Sequence, residues 1–245
     1  MPRFFVNNEG ADAGRLFVSG DDARHIARSM RMAVGEEITL CTPDGIEHLC
    51  RLVKIRDELC ECSIVSSQAS NCEPPYALTL FMAYPKGDKL ETIIQKAVEL
   101  GACRIVPFVS SRCIKRPDEK RSESRLDRLN KIAEEAAKQC GRATLPKVTL
   151  PISFEQMLSD AASHEFSLFC YEGRCSVSIK QALNSLGSAP KSICVVVGSE
   201  GGFSPEEAEN AESAGLTAVN MGPRILRCET APLYALTAIS CRFEI

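Results

Sequence analysis

From Tyr76 onward the chain alternates short apolar runs with amphipathic ones, and this alternation is what most constrains the fold. "ALTLFMAY", "CRIVPFV", "FSLFCY", "SICVVVG" and "LTAVNMG" read as strands. Between the first two, "GDKLETIIQKAVELGA" sets Leu90, Ile93, Ile94, Ala97 and Val98 on one helical face. Asp88 followed by Glu91 predicts a capping box at its start, and Gly101 predicts its end. Residues 119–140 form a long helix on the same logic, with Leu126, Leu129, Ile132, Ala133 and Ala136 aligned. "VSIKQALNSLG", "SPEEAENAESAG" and "TAPLYALTAISCRF" supply the remaining helical patterns. Near-continuous apolar strands alternating with helices imply an α/β domain whose largely parallel sheet is covered on both faces.

Before residue 73 the pattern is different. "GRLFVSG", "EEITLCTPDG", "IEHLCRLVKI" and "ELCECSIVSS" are strand-like, and Asp44-Gly45 is a hairpin signal. One helix interrupts them, capped by Asp21 or Asp22, with Ile26, Met30 and Ala33 on one face. Short strands with a single helix indicate a small β-barrel. "SQASNCEPPY" is polar with a double proline and reads as a linker. The expected domains are therefore 1–72 and 73–245.

With 44% hydrophobic and 25% charged residues, the chain has the composition of a globular protein with a substantial core. Neither a membrane span nor a secretory leader is evident, so a cytoplasmic protein is expected. Thirteen cysteines lie mostly in apolar runs, and with three histidines they offer no zinc-finger spacing; they are expected to be reduced thiols, and no metal is expected. The net charge of −3 provides no global attraction to nucleic acid. Local clusters do exist, at Arg24–Met32 and Arg112–Lys131, and each is either a solvated helix face or a phosphate-binding patch.

Two strand-end loops carry the functional signal. "VGSEGGFSPEE" matches no phosphate-binding fingerprint, and its own Glu200 would repel a phosphate. Ser204, Pro205 and Glu207 form a helix start that already holds its compensating negative charge. The loop is either a tight turn using glycine's positive φ or a pocket wall for a ligand that is neutral or positive near Glu200. "MGPRILRCETAPLYAL" is a second loop of the same placement, with apolar Ile225 and Leu226, and Thr230 able to cap the last helix. Two such loops at the carboxyl ends of parallel strands frame a crevice. S-adenosylmethionine suits it, having a sulfonium, an amino group and no phosphate.

These two loops, with "PKGDKLETIIQKAVELGA" and "EEAAKQCGR" upstream and "RFFV" and "HIARSMRM" near the N-terminus, resemble the RsmE family over nearly the whole chain. That family comprises bacterial SPOUT-superfamily methyltransferases acting on N3 of a uridine in 16S ribosomal RNA. The resemblance implies a PUA-like β-barrel before a SPOUT trefoil-knot domain, a homodimer, and S-adenosylmethionine as donor. It further implies cofactor contacts from Gly198, Ser199, Glu200, Gly201 and Gly202, and from Met221, Gly222, Pro223, Ile225, Leu226 and Arg227, with Thr230 and Ala231 leading into the last helix. Ser199 stands where the family usually has proline, and Cys228 where it usually has threonine.

Methyl transfer is in-line displacement, so alignment dominates, and uridine N3 must first lose its proton. Arg227 is expected to stabilise charge developing on the base, with Glu229 orienting Arg227 or taking the proton. The competing reading is a structural ion pair between them. RNA contacts are expected from Arg3, Arg24, Arg28, Arg31, Lys86, Lys115, Arg116, Lys120 and Arg142. A SPOUT enzyme for another RNA, or a non-enzymatic RNA-binding protein of the same fold, are the alternatives.

Overall fold

The computed structural model describes residues 1–7, 14–117, 122–173 and 177–245. They divide into two units, one comprising 1–73 with 137–145 and the other 74–136 with 146–245.

In the first unit five strands follow the order β1-β3-β4-β5-β2: β1 Arg3–Phe5, β2 Arg15–Ser19, β3 Glu37–Cys41, β4 Ile46–Lys54 and β5 Leu59–Ala69. β1 pairs parallel with β3, and the other pairs are antiparallel. Phe4 of one edge strand and Leu16 and Val18 of the other enter one core with Ile38, Leu40 and Leu52, so the sheet is barrel-like. Cys50, Cys60 and Cys62 fill the same core as small apolar side chains. Every described cysteine is a free thiol. The expected hairpin closes at Gly45, whose N–H donates to the Thr42 carbonyl.

The barrel helix departs from expectation. α1, Gly20–Arg24, has Ser19 at its N-cap position, and Asp21 and Asp22 lie in its first turn instead. It runs into a π-helical turn, His25–Ser29. The wider turn breaks the 3.6-residue register, so Ile26 is buried while Met30 and Ala33 face solvent.

Residues 137–145 belong to this unit through a polar cluster. Arg142 is only 3% exposed, and its guanidinium donates to Glu73 at 2.7 and 3.1 Å. Glu73 also accepts the backbone N–H groups of Ala143 and Thr144. Arg3 pairs with Glu47 at 2.9 Å and donates to the Arg142 carbonyl. The expectation that Arg3 and Arg142 meet RNA is therefore corrected: both guanidinia are committed to carboxylates of the same unit, the buried Glu47 and the half-buried Glu73.

The second unit holds β6 Ala77–Ala83, β7 Arg104–Val109, β8 Lys147–Val148, β9 Ile152–Ser153, β10 Phe166–Cys170, β11 Ser192–Val197 and β12 Thr217–Val219. Their order is β12-β10-β11-β6-β7-β8, with β9 also on β7, and every pairing is parallel. β6, β10 and β11 are buried at nearly every position, which explains their unbroken apolar sequences. Each fully buried Leu, Ile or Phe here contributes roughly 1.5–3 kcal/mol relative to exposure.

The helices are α2 Lys89–Glu99, α3 Ser122–Cys140, α4 Phe154–Ala161, α5 Ile179–Asn184, α6 Pro205–Ser213 and α7 Thr230–Phe243. The three predicted helical residues before Ser122 lie outside the described residues. α4 is unanticipated, although Ser153 and Gln156 form a complete capping box at its start. At α2 the predicted box is absent: Asp88 makes no side-chain cap bond, and Glu91 pairs with Arg128 at 2.6 Å. Gly101 does end α2, at φ +90°, and a Cβ there would come within 2.6 Å of the Pro74 ring. Among the described residues no helix is long and apolar enough to cross a membrane.

Candidate active site

The glycine loop after β11 is anchored at its far end by Phe203. This ring is buried and lies 4.2 Å, centroid to centroid, from Phe169 of β10, with Phe108 of β7 at 6.2 Å. Gly202 turns the chain at φ +60°, and its N–H donates to the Ser199 carbonyl at 2.9 Å. A Cβ at Gly202 would collide with the Glu172 carboxylate. Beyond the turn, Ser204 and Glu207 form the predicted capping box, with Pro205 as the first helical residue. Glu207 also accepts the Ser111 N–H at 2.7 Å, which ties α6 to the loop after β7.

The second loop, after β12, folds against the first. Asn220 holds its entrance, bonding Val177 and the Gly222 N–H. Its exit is set by the Arg227 carbonyl, which accepts from Thr230 and Ala231 in the first turn of α7. Glu229 occupies the N-cap position and, contrary to the expectation for Thr230, no side chain caps this helix.

Together with the end of β10, these loops enclose a cleft of about 410 Å³, within the usual range for small-ligand sites. Of the residues expected there, Gly198, Ser199, Glu200, Gly202, Met221, Gly222, Pro223, Ile225, Leu226, Arg227 and Ala231 line it, while Gly201 and Thr230 do not. Gly201 instead lies under Arg112, which donates to its carbonyl at 3.3 Å.

Lys89 was not singled out in the sequence, yet it joins the site. Its ammonium lies 2.9 Å from Glu200 and 3.2 Å from Glu229, linking the first turn of α2 to both loops. The Lys86 N–H donates to the same Glu200 carboxylate. Glu229 thus faces Lys89, and Arg227 is exposed without an ion pair among the described residues. Neither expected relation between Arg227 and Glu229 is present. Cys228 is buried and donates its thiol to Glu229 at 3.2 Å, so it retains the donor that a threonine hydroxyl would supply. Burial, and then the bond to Glu229, pushes that thiol up to about 12. Glu172, Tyr171 and Arg224 also line the cleft and carry no sequence signal of their own.

The charges in this network fix its pH range. Partial burial works to raise the Glu200 carboxyl, but its bonds from Lys89 and the backbone hold it below the ordinary carboxylate range. The bond to Glu200, partly offset by desolvation, raises Lys89 above the ordinary range for lysine. A depressed acid contributes above its unfolded value and is lost as pH falls through its folded value; a raised base contributes below its unfolded value and is lost as pH rises through its folded one. Cofactor affinity measured by calorimetry is expected to be flat from about pH 5 to pH 10 as far as this network is concerned, since in the folded protein Glu200 is held below, and Lys89 above, the ordinary values that bound this range, and both stay charged.

An RNA methyltransferase domain matches residues 72–240 and an RNA methyltransferase PUA domain matches residues 18–65. The chain is 36% identical to ribosomal RNA small subunit methyltransferase E of Bacillus subtilis, across 100% of this chain and 98% of that one. The chain belongs to the ribosomal RNA small subunit methyltransferase E family. The methyltransferase E of Mesomycoplasma hyopneumoniae is 31% identical over 97% of this chain and 98% of its own. The crystal structure of the Neisseria gonorrhoeae methyltransferase E bound to S-adenosyl methionine superposes with a TM-score of 0.86 at 32% identity, covering 99% and 98% of the two chains.

The cleft described above fits that cofactor on its own chemistry. The Ser199 hydroxyl is buried in its wall with no hydrogen-bond partner, a donor left for a ligand. Glu172 supplies negative charge for a sulfonium or amino group, and Met221, Ile225 and Leu226 supply apolar surface for an adenine.

Of the expected RNA contacts, Arg24, Arg28, Arg31 and Lys86 are exposed, with Arg24 and Arg28 also paired to Asp21 and Asp57. Lys115 and Arg116 are exposed beside α3, and Lys120 lies outside the described residues.

Proposed function

We propose that this protein methylates N3 of a uridine in 16S ribosomal RNA, using S-adenosylmethionine bound in the cleft between the two loops. The observation that carries this reading is the cleft itself, in a chain whose relatives of known name are small-subunit rRNA methyltransferases. The donor supplies an electrophilic methyl group, and the residues around it must position it and favour loss of the N3 proton. Arg227, exposed at the cleft and not neutralised by a carboxylate, is the group placed to stabilise charge on the uridine oxygens. Glu229 serves a different purpose. The thiol of Cys228, then the backbone and Lys89, hold its carboxyl below the ordinary range, which makes it a poor base and a good partner for Lys89.

The 16S substrate within the small subunit, a homodimer, and threading of the C-terminal loops as a trefoil knot belong to the same reading. Ile225, 85% exposed, and Tyr234, 43% exposed, provide apolar surface for a second copy.

The test is methylation of ribosomal RNA taken from a strain lacking the enzyme, with the product located by mass spectrometry. Incorporation at N3 of one uridine is the expected result, and methylation of another atom or another RNA would replace this reading. Arg227→Ala is expected to lower kcat about 100-fold while cofactor affinity changes little. Near-normal turnover in the folded variant would remove Arg227 from the chemistry.

A further inference from the structure

A second cleft, of about 420 Å³, borders the connection from β6 into the first turn of α2, the turn that carries Lys89. Tyr84, Asp88 and Glu91 come from that connection, Arg125, Leu126, Arg128 and Leu129 from the first turns of α3, and Lys115 and Arg116 from the segment after β7. Lys86 and Lys89 bind Glu200 on one side of the connection while Asp88 faces the other, so one short stretch of chain borders both clefts.

The charge balance of this cleft is unlike that of the protein. Arg128 is neutralised by Glu91 at 2.6 Å. Among the described residues of the lining, that leaves Lys115, Arg116 and Arg125 against Asp88, in a chain of net charge −3. Arg125 is the informative member. Its guanidinium carbon lies 5.4 Å from the centroid of the buried Tyr84 ring, and its Nε–H is buried with no hydrogen-bond partner. A guanidinium stacked on a ring and left without a carboxylate presents a flat cationic face and unspent donors. Pro107, Pro117, Leu150 and Pro151 give the remaining wall an apolar character.

An anion alone would not call for the apolar wall, and an apolar ligand would not call for the cations. A nucleotide calls for both: its phosphate suits Lys115 and Arg116, and its base has the Arg125 face and the proline wall to stack against. We propose that this cleft is a subsite for an RNA nucleotide flanking the methylated uridine, with Arg125 as a positioning residue. The proposal rests on the methyltransferase reading above. Occupancy here presses on the same connection that sets Lys89, so RNA binding is coupled to the geometry of the donor cleft.

The experiment uses the full chain, S-adenosylmethionine, and small subunits from a strain lacking the enzyme. Arg125→Gln and the exposed double variant Lys115→Ala/Arg116→Ala are each expected to raise KM for the subunit about tenfold or more, with cofactor affinity by calorimetry unchanged. The salt dependence of RNA binding should be shallower in the double variant by about two phosphate contacts, the number of cations removed. Arg125→Lys, which keeps the charge but not the stacking plane, should recover only part of the loss. If the double variant, whose substitutions lie on the surface, shows wild-type KM and salt slope, the subsite is overturned. A loss in Arg125→Gln that appears only in thermal stability and kcat would likewise reduce Arg125 to a structural role. Failure of the wild-type protein to methylate any ribosomal RNA is a separate outcome, and it overturns the underlying function first.

Discussion

Replacing Lys89 with methionine is expected to lower kcat/KM about 100-fold, the loss typical of displacing a reacting group by roughly an ångström. Lys89 joins three segments remote in sequence: the start of α2, the glycine loop through Glu200, and the approach to α7 through Glu229. Methionine keeps the length of the side chain but leaves those two carboxylates facing each other without a cation. Their repulsion would part the two walls that hold the donor. Cofactor affinity by calorimetry should fall together with turnover, which distinguishes this variant from Arg227→Ala, where turnover alone falls. A double variant, Lys89→Met/Glu229→Gln, removes one of the unpaired charges and should recover part of the affinity. Unchanged affinity in Lys89→Met would mean that the three-way contact does not shape the cleft.

Arg142→Met is expected to destabilise the first unit by about 3 kcal/mol, the lower end of the range for removing one partner of a buried pair. The loss sits at that end because the Glu73 side chain keeps some access to water, at 23%, whereas that of Arg142 has 3%. Denaturant unfolding followed by circular dichroism measures it, and a change below about 0.5 kcal/mol, the level of an ordinary surface substitution, would refute the structural assignment. The pair also predicts acid sensitivity. Burial acts to raise the Glu73 carboxyl, but Arg142 and two backbone N–H groups hold it below the ordinary range. Its contribution is therefore present above its unfolded value and is lost as pH falls through the lower folded value. The variant should lose this part of the acid dependence.

Local signals in the sequence were legible where one segment satisfied its own backbone. Ser204, Pro205 and Glu207 announced α6, and the apolar runs of β6, β10 and β11 announced strands buried on both faces. The same grammar is present at Ser153 and Gln156, but "PISFEQMLSD" is too short for its apolar pattern to separate a helix from a strand. At Asp88 and Thr230 the grammar misled. Both positions look like caps, but neighbouring Lys89 and Glu229 are committed to each other, and neither helix start carries a side-chain cap. The π-turn at His25–Ser29 was not legible either, since nothing in "HIARS" marks the extra residue that moves Met30 to the surface.

The sequence by itself determined the alternating architecture, the two loops at the strand ends, and most of the residues that line the cleft between them. Those features depend on period, capping and turn chemistry, all written within a few residues of one another. Only the tertiary structure decided which charges pair. Lys89 meets Glu200 111 residues away, and Arg142 meets Glu73 69 residues away, distances across which no local pattern constrains a side chain. It likewise committed Arg3 and Arg142 to carboxylates of their own unit and left Arg125 against Tyr84 with an unanswered donor. A charged side chain declares its type in the sequence, but its partner is set by where packing brings the backbones, and that partner decides whether it holds the fold or remains for a ligand.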